Sequence, residues 1–169
     1  MEIHRIEVWY QKAVFDATAS GLSGDIADLG IKSVQAVEVG AIYLIKGSLS
    51  RSPSYAKASE GIPNQRHAQI ELIARELLVD PVTQVFYVGQ RKRPKEAVAV
   101  EVWFKEGVTD TVGETALKGI KDLGIKGVRQ VSTGRRYFLY GKSLTPSEVK
   151  TIATSLLANE VIQTYRIKG

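Results

Sequence analysis

Residues 99–104 alternate apolar with other side chains and are rich in valine and aromatics, which predicts a half-buried strand. Gly107 and Asp110 break that pattern. Beyond them Val112, Ala116, Ile120 and Leu123 recur at helical spacing, with Asp110 as the predicted N-cap and Gly124, which has no Cβ, as the residue that turns the chain out of the helix. Residues 128–131 and 136–140 read as two strands joined by a tight turn at Thr133-Gly134-Arg135, a hairpin. Thr145-Pro146-Ser147-Glu148 predicts a second helix start, with proline where no N–H is needed and Glu148 reaching back to complete a capping box. Val149, Ile152, Ala153, Leu156 and Leu157 give it an amphipathic stripe; Asn159-Glu160 ends it, and residues 161–167 form a last strand. The order β-α-β-β-α-β predicts both helices on one face of a four-stranded antiparallel sheet.

The same pattern occurs twice. Residues 6–47 superpose on residues 100–141 without a gap, at a shift of 94 (Ile6 onto Val100). Glu7-Val8-Trp9 matches Glu101-Val102-Trp103, Asp16 matches Asp110, and Asp28-Leu29-Gly30-Ile31-Lys32 matches Asp122-Leu123-Gly124-Ile125-Lys126. Val34, Val37, Gly40, Tyr43 and Gly47 then recur as Val128, Val131, Gly134, Tyr137 and Gly141. Such spacing predicts a duplication and two similar halves, each too small to hold a large core alone, so that packing between them should supply much of the stability. Gly21 and Gly24 make the first helix of the first half the weaker one. Further on, Leu77-Leu78 matches Leu156-Leu157 at a shift of 79, so the first half carries 15 extra residues (94 − 79) within positions 48–64. That segment is rich in Ser, Gly and Pro and reads as a mobile surface loop. The expected organisation is a first repeat at 1–89, a linker at 90–97 and a second repeat at 98–169.

Charge is uneven between these parts. Residues 1–89 hold 8 Lys and Arg against 10 Asp and Glu, residues 90–97 hold 4 against 1, and residues 98–169 hold 11 against 7. The run Gln90-Arg91-Lys92-Arg93-Pro94-Lys95 is read as a solvated linker kept extended by Pro94 and self-repulsion, in preference to a nucleic-acid patch. There is no cysteine, hence no disulfide or thiolate chemistry. No window reaches the roughly 20 apolar residues of a membrane span, and the opening MEIHRIEVWY enters a strand without a signal-peptide core. A cytoplasmic protein that does not enter a membrane is the expectation.

The inventory for catalysis is nearly empty. His4 and His67 have no second ligand at a metal-binding spacing and read as surface residues, and phosphate-loop, dinucleotide and nucleophile-elbow motifs are absent. Asp16 and Asp110 read as caps rather than a carboxylate pair. Trp9, Tyr10, Tyr43, Trp103, Phe104, Tyr137, Phe138 and Tyr140 fall on predicted central strands, where RNA-binding domains stack bases, but the accompanying basic signature is missing. An apolar sheet face for packing on another sheet or subunit is the preferred reading.

Two segments carry a family resemblance. Leu156-Leu-Ala-Asn-Glu-Val-Ile-Gln-Thr-Tyr-Arg-Ile167 resembles the C-terminal signature of PurS, the small subunit of phosphoribosylformylglycinamidine synthase, and Val100-Glu-Val-Trp-Phe-Lys-Glu-Gly-Val108 with Asp110 and Gly113 resembles that family's opening. Through the repeat the likeness extends to the first half, where Leu77-Leu-Val-Asp-Pro81 keeps a proline that Glu160 replaces in the second. Where the family has basic residues, Ser132 and Arg135 stand in one half and Glu38 and Ala41 in the other. The resemblance implies an α+β fold of two tandem PurS-like, ferredoxin-like βαββαβ units whose antiparallel sheets form a pseudo-dimer. It also implies a subunit that is no enzyme by itself, without cofactor or metal, which bridges the synthase (PurL-type) and glutaminase (PurQ-type) subunits and supports ammonia transfer in purine synthesis. Further self-association is open; Arg135, Arg136, Tyr137, Tyr165, Arg166 and Asp110 are the candidate partner-interface residues.

Two alternatives come from other classes. Tandem ACT-type regulatory proteins share the element order and a glycine near the first strand-helix junction, as at Gly107, and would bind a small molecule. An RNA-binding module would use the aromatics and the run from Arg91 to Lys95.

Overall fold

The computed structural model describes residues 1–49 and 65–168, with backbone alone at 65 and 66. The first repeat supplies β1 (Glu2–Tyr10), α1 (Ala17–Asp28), β2 (Ala36–Gly47), α2 (Gln65–Ile73) and β3 (Gln84–Val88). The second supplies β4 (Ala97–Phe104), α3 (Thr111–Asp122), β5 (Val128–Tyr140), α4 (Pro146–Ile152) and β6 (Gln163–Lys168). α2 and α4 each run on through one wider, π-type turn, Ala74–Leu78 and Ala153–Leu157. The surface loop expected within 48–64 falls almost wholly outside the described residues; of its start, Leu49 is buried and the Ser48 N–H donates to the Gly127 carbonyl.

Helix boundaries follow the local signals. The Asp16 carboxylate accepts from the Ala19 N–H, that of Asp110 from the Gly113 N–H, and Thr145 and Glu148 complete the capping box. Gly30 and Gly124 follow α1 and α3 with φ of 80° and 77°, left-handed values that favour glycine.

The predicted hairpin does not form. Residues 128–140 are one uninterrupted strand, and so are their counterparts in β2. Gly134 looked like a turn residue, yet it is glycine for another reason. Trp103 pairs with Gly134 across β4 and β5 and lays its indole on it, so a Cβ there would come within 2.6 Å of the ring; Trp9 does the same to Gly40, at 2.3 Å. The repeated tryptophan and the repeated glycine are therefore one packing unit, used twice. A further small correction is the last strand, which starts at Gln163, so that Val161 and Ile162 lie in the preceding turn.

Long strands change how the halves meet. β2 and β5 pair antiparallel from Ala36↔Tyr140 to Lys46↔Gln130, so each repeat gives three strands to a single six-stranded sheet ordered β3-β1-β2-β5-β4-β6. The halves join edge to edge. Ala41 opposes Arg135, its own equivalent in the repeat, so a pseudo-twofold passes between these two residues.

The helices lie on one face and exchange partners across that axis. One core combines Leu22 and Ile26 of α1 with Val100, Leu139, Val149 and Ile152 of the second repeat; the other combines Ala116 and Ile120 of α3 with Ile6, Ile45, Ile70 and Ile73 of the first. Neither repeat encloses a core of its own. Val112, expected on the buried stripe of α3, is 53% exposed, and Gly113 takes the inward position instead.

Gly40→Ala and Gly134→Ala should each destabilise the fold by about 1–3 kcal/mol, because the methyl group has no room beside the indole. Gly21→Ala and Gly24→Ala meet open space within α1 and should stabilise by up to about 1 kcal/mol each. Urea denaturation of the four variants would reveal both signs.

Candidate functional site

Alternation along the strands sorts the repeated polar residues onto two faces. The face away from the helices carries an ionic cluster that sequence reasoning missed. Glu7, Glu101 and Arg136 are at most 3% exposed. Arg5 bridges the two carboxylates, with Nη2 2.6 Å from Glu7 Oε1 and 2.7 Å from Glu101 Oε1, and the Trp9 indole N–H donates to Glu7 Oε2 at 3.0 Å. Arg136 Nη1 lies 3.2 Å from both Glu7 oxygens and donates to the Arg91 carbonyl at 2.7 Å. Two carboxylates and two guanidiniums thus neutralise each other. The signal was present in the sequence: a glutamate held beside tryptophan in the middle of two strands, both times.

Residues 89–96 lie as a strap across this face, which corrects the reading of a solvated linker. The strap leaves β3 at one side of the sheet and enters β4 on the other. On the way the Arg91 N–H donates to Glu7 Oε2, its guanidinium pairs with Glu38 at 2.8 Å, and it stacks 4.6 Å from the Trp9 ring and 5.3 Å from that of Phe138. Trp9 and Phe138 stack on each other at 4.6 Å. The apolar face expected to meet another sheet is, in this region, closed by the chain itself. Burial and the Glu38 carboxylate push the Tyr140 hydroxyl up to about 12.

On the opposite face the helix pairs part over the pseudo-twofold and leave a cleft of about 480 Å³ beside Arg135. Tyr43 and Tyr137 line it together with Arg135. Burial raises both phenols, with the Asp110 charge adding to the effect at Tyr43 and Arg135 opposing it at Tyr137. Asp110 itself accepts from the N–H groups of Gly113 (2.8 Å) and Thr133 (2.5 Å) and from the Thr133 hydroxyl (2.8 Å), tying the start of α3 to β5.

The six candidate interface residues therefore separate. Arg135 and Tyr137 line the cleft, with Tyr137 buried, and Asp110 is occupied as cap of α3 and tether to Thr133. Tyr165 is half-buried against the α1/α4 core. Arg136 is 2% exposed on the other face inside the ionic cluster, and Arg166 is exposed on edge strand β6. The aromatic set splits likewise, with Trp9, Trp103 and Phe138 away from the helices and Tyr43 and Tyr137 beneath them. Among the described residues no group of three His, Asp or Glu is placed to hold a metal, and no helix is long and apolar enough to cross a membrane.

Residues 97–169 match the family PurS: phosphoribosylformylglycinamidine (FGAM) synthase. The phosphoribosylformylglycinamidine synthase subunit PurS of Archaeoglobus fulgidus is 38% identical over 72 residues, which cover 40% of this chain and 90% of that protein. The chain belongs to the PurS family. Its α+β fold and antiparallel sheet are those expected from the resemblance, while the family match covers the second repeat and leaves the first to the internal similarity alone. In this PurS chain the Glu-Val-Trp segment of the matched region, Glu101 to Trp103, is one of the two copies that build the ionic cluster and the Trp-Gly packing.

Burial alone would raise the Glu101 carboxyl, but the hydrogen bond and charge of Arg5, with Lys168 and Arg136, outweigh it and hold it below the ordinary 4.5. A depressed carboxylate stabilises the fold above its unfolded-state value and loses that contribution as pH falls through the folded-state value. Stability should thus decline on acidification below about pH 4.5. Glu101→Gln, which leaves the Arg5 and Arg136 guanidiniums to share Glu7 as their one carboxylate, should cost on the order of 3 kcal/mol at neutral pH and flatten the acid limb. Urea titrations between pH 7 and pH 3 test both.

Proposed function

We propose that this chain serves as the PurS-type subunit of an FGAM synthase, a non-catalytic member that bridges synthase and glutaminase subunits and supports ammonia transfer. The observation that carries the reading is the 38% identity to a PurS subunit across 90% of its length. In this reading residues 1–89 and 98–169 act as a fused pair, joined by the strap. The pair is pseudo-symmetric in backbone and asymmetric in chemistry: Arg135 faces Ala41, and only β6 of the two edge strands carries Arg166 and Lys168, whereas β3 reads Gln-Val-Phe-Tyr-Val. Two different partners can then each meet a different surface of one rigid sheet.

The test is co-purification with PurL-type and PurQ-type subunits in the presence of glutamine and Mg-ADP. One complex containing all three chains is expected, and elution of this chain by itself under those conditions would contradict the proposal. Arg166→Glu should weaken assembly by about tenfold, equivalent to ~1.4 kcal/mol, without lowering the melting temperature.

A further inference from the structure

The cleft over the pseudo-twofold contains a cation with no counter-ion among the described residues. Arg135 is exposed at the middle of the sheet, and among the described residues no carboxylate lies within 4.0 Å of its guanidinium. We propose that the cleft beside Arg135 is a binding site for a small oxyanion, a carboxylate or phosphate group on a compact body. This goes beyond the subunit reading and does not rest on it.

The groups free to meet a ligand there are donors. Arg135 is one of them, and Tyr137 and Tyr43 line the same cleft, each with a phenol O–H that can donate. Because burial holds both phenols above their ordinary 10, both keep their protons at neutral pH. Gln163 lines the cleft too, and its carbonyl oxygen is already taken by the Asn159 N–H, so its NH₂ is what it can offer. The Thr133 hydroxyl is spent on Asp110. Asp110 is the nearby acid, and three donors hold its oxygens, so it competes weakly for Arg135. Converging donors with one guanidinium suit an oxyanion, since each oxygen can take two or more charge-assisted hydrogen bonds.

Shape and the repeat support the same choice. Val102, Phe104 and Leu157 give apolar walls, and a volume of about 480 Å³ lies within the range of small-molecule sites. On the other side of Arg135 the equivalent positions form a smaller lobe of about 160 Å³ that contains the buried Asp16, and its negative charge disfavours an anion. Replacement of the equivalent residue by Ala41 is what leaves one cation, with space before it, where strict symmetry would oppose two like charges on one face of the sheet.

The experiment is an amide NMR titration of the full-length protein with sodium acetate, sodium glutamate or inorganic phosphate, each against sodium chloride at matched ionic strength. Saturable shifts around residues 43, 133–137 and 163 are expected with at least one of the three, and which of them saturates identifies the head group. Arg135→Gln and Tyr137→Phe should weaken that binding tenfold or more, while Lys118→Gln, an exposed cation on α3, leaves it unchanged. Linear shifts equal to those with chloride would overturn the proposal, as would full affinity in Arg135→Gln or an equal loss in Lys118→Gln. Because Arg135 is exposed, Arg135→Gln retains the fold, and its thermal melt checks this.

Discussion

The structure depends on the pairing of β2 with β5. Each is a long strand of 12 or 13 residues, and along one edge each pairs with its counterpart in the other repeat. This ladder turns two three-stranded pieces into one sheet and leaves no interior edge exposed. It also fixes the pseudo-twofold at Ala41 and Arg135. Side chains at directly opposed positions on one face are close neighbours, so that point is where two identical halves would conflict and where two diverged halves can differ. The lone Arg135 in its cleft follows from that constraint.

Helix exchange across the axis makes the join more than an edge contact. α1 packs with α4, and α3 with α2, each pair over strands contributed by both repeats. Seventy-odd residues bury too little apolar surface for comfortable stability, and sharing both cores removes that limitation. The face without helices solves a different problem. There the strap from Gly89 to Glu96 lays Arg91 over Trp9 and Phe138 and seals the cluster of Glu7, Glu101, Arg5 and Arg136. A buried ion pair is costly to break and adds little net stability against an apolar equivalent. Here the charges of β1, β4 and β5 meet in the one observed alignment of the strands.

Local signals in the chain were legible and non-local ones were not. Asp16, Asp110, Thr145, Gly30 and Gly124 act through residues a few positions away, and caps and helix ends fell where they indicated. The hairpin at Gly134 was read wrongly because the glycine answers to Trp103, a partner on another strand. The linker looked solvated because its charge is local information, whereas the partners of Arg91 are Glu38, Trp9 and Phe138, more than 40 residues away. Of the candidate interface set, side-chain type nominated Arg136 as well as Arg135, but strand alternation sends one into a buried cluster and the other into an open cleft. The repeat itself was the most informative feature, and its meaning is now concrete: Glu-Val-Trp with its paired glycine is a packing and charge unit placed once on each side of an axis.

The account's central claim is that both repeats form one cooperative body. Each repeat has one tryptophan, Trp9 and Trp103, so labelling with 5-fluorotryptophan gives one ¹⁹F signal per repeat in the unaltered full-length chain. The account predicts that both native signals disappear at the same urea concentration, because the ladder, the exchanged helices and the strap are lost together. Two separate midpoints, with one repeat unfolding while the other keeps its native signal, would contradict it.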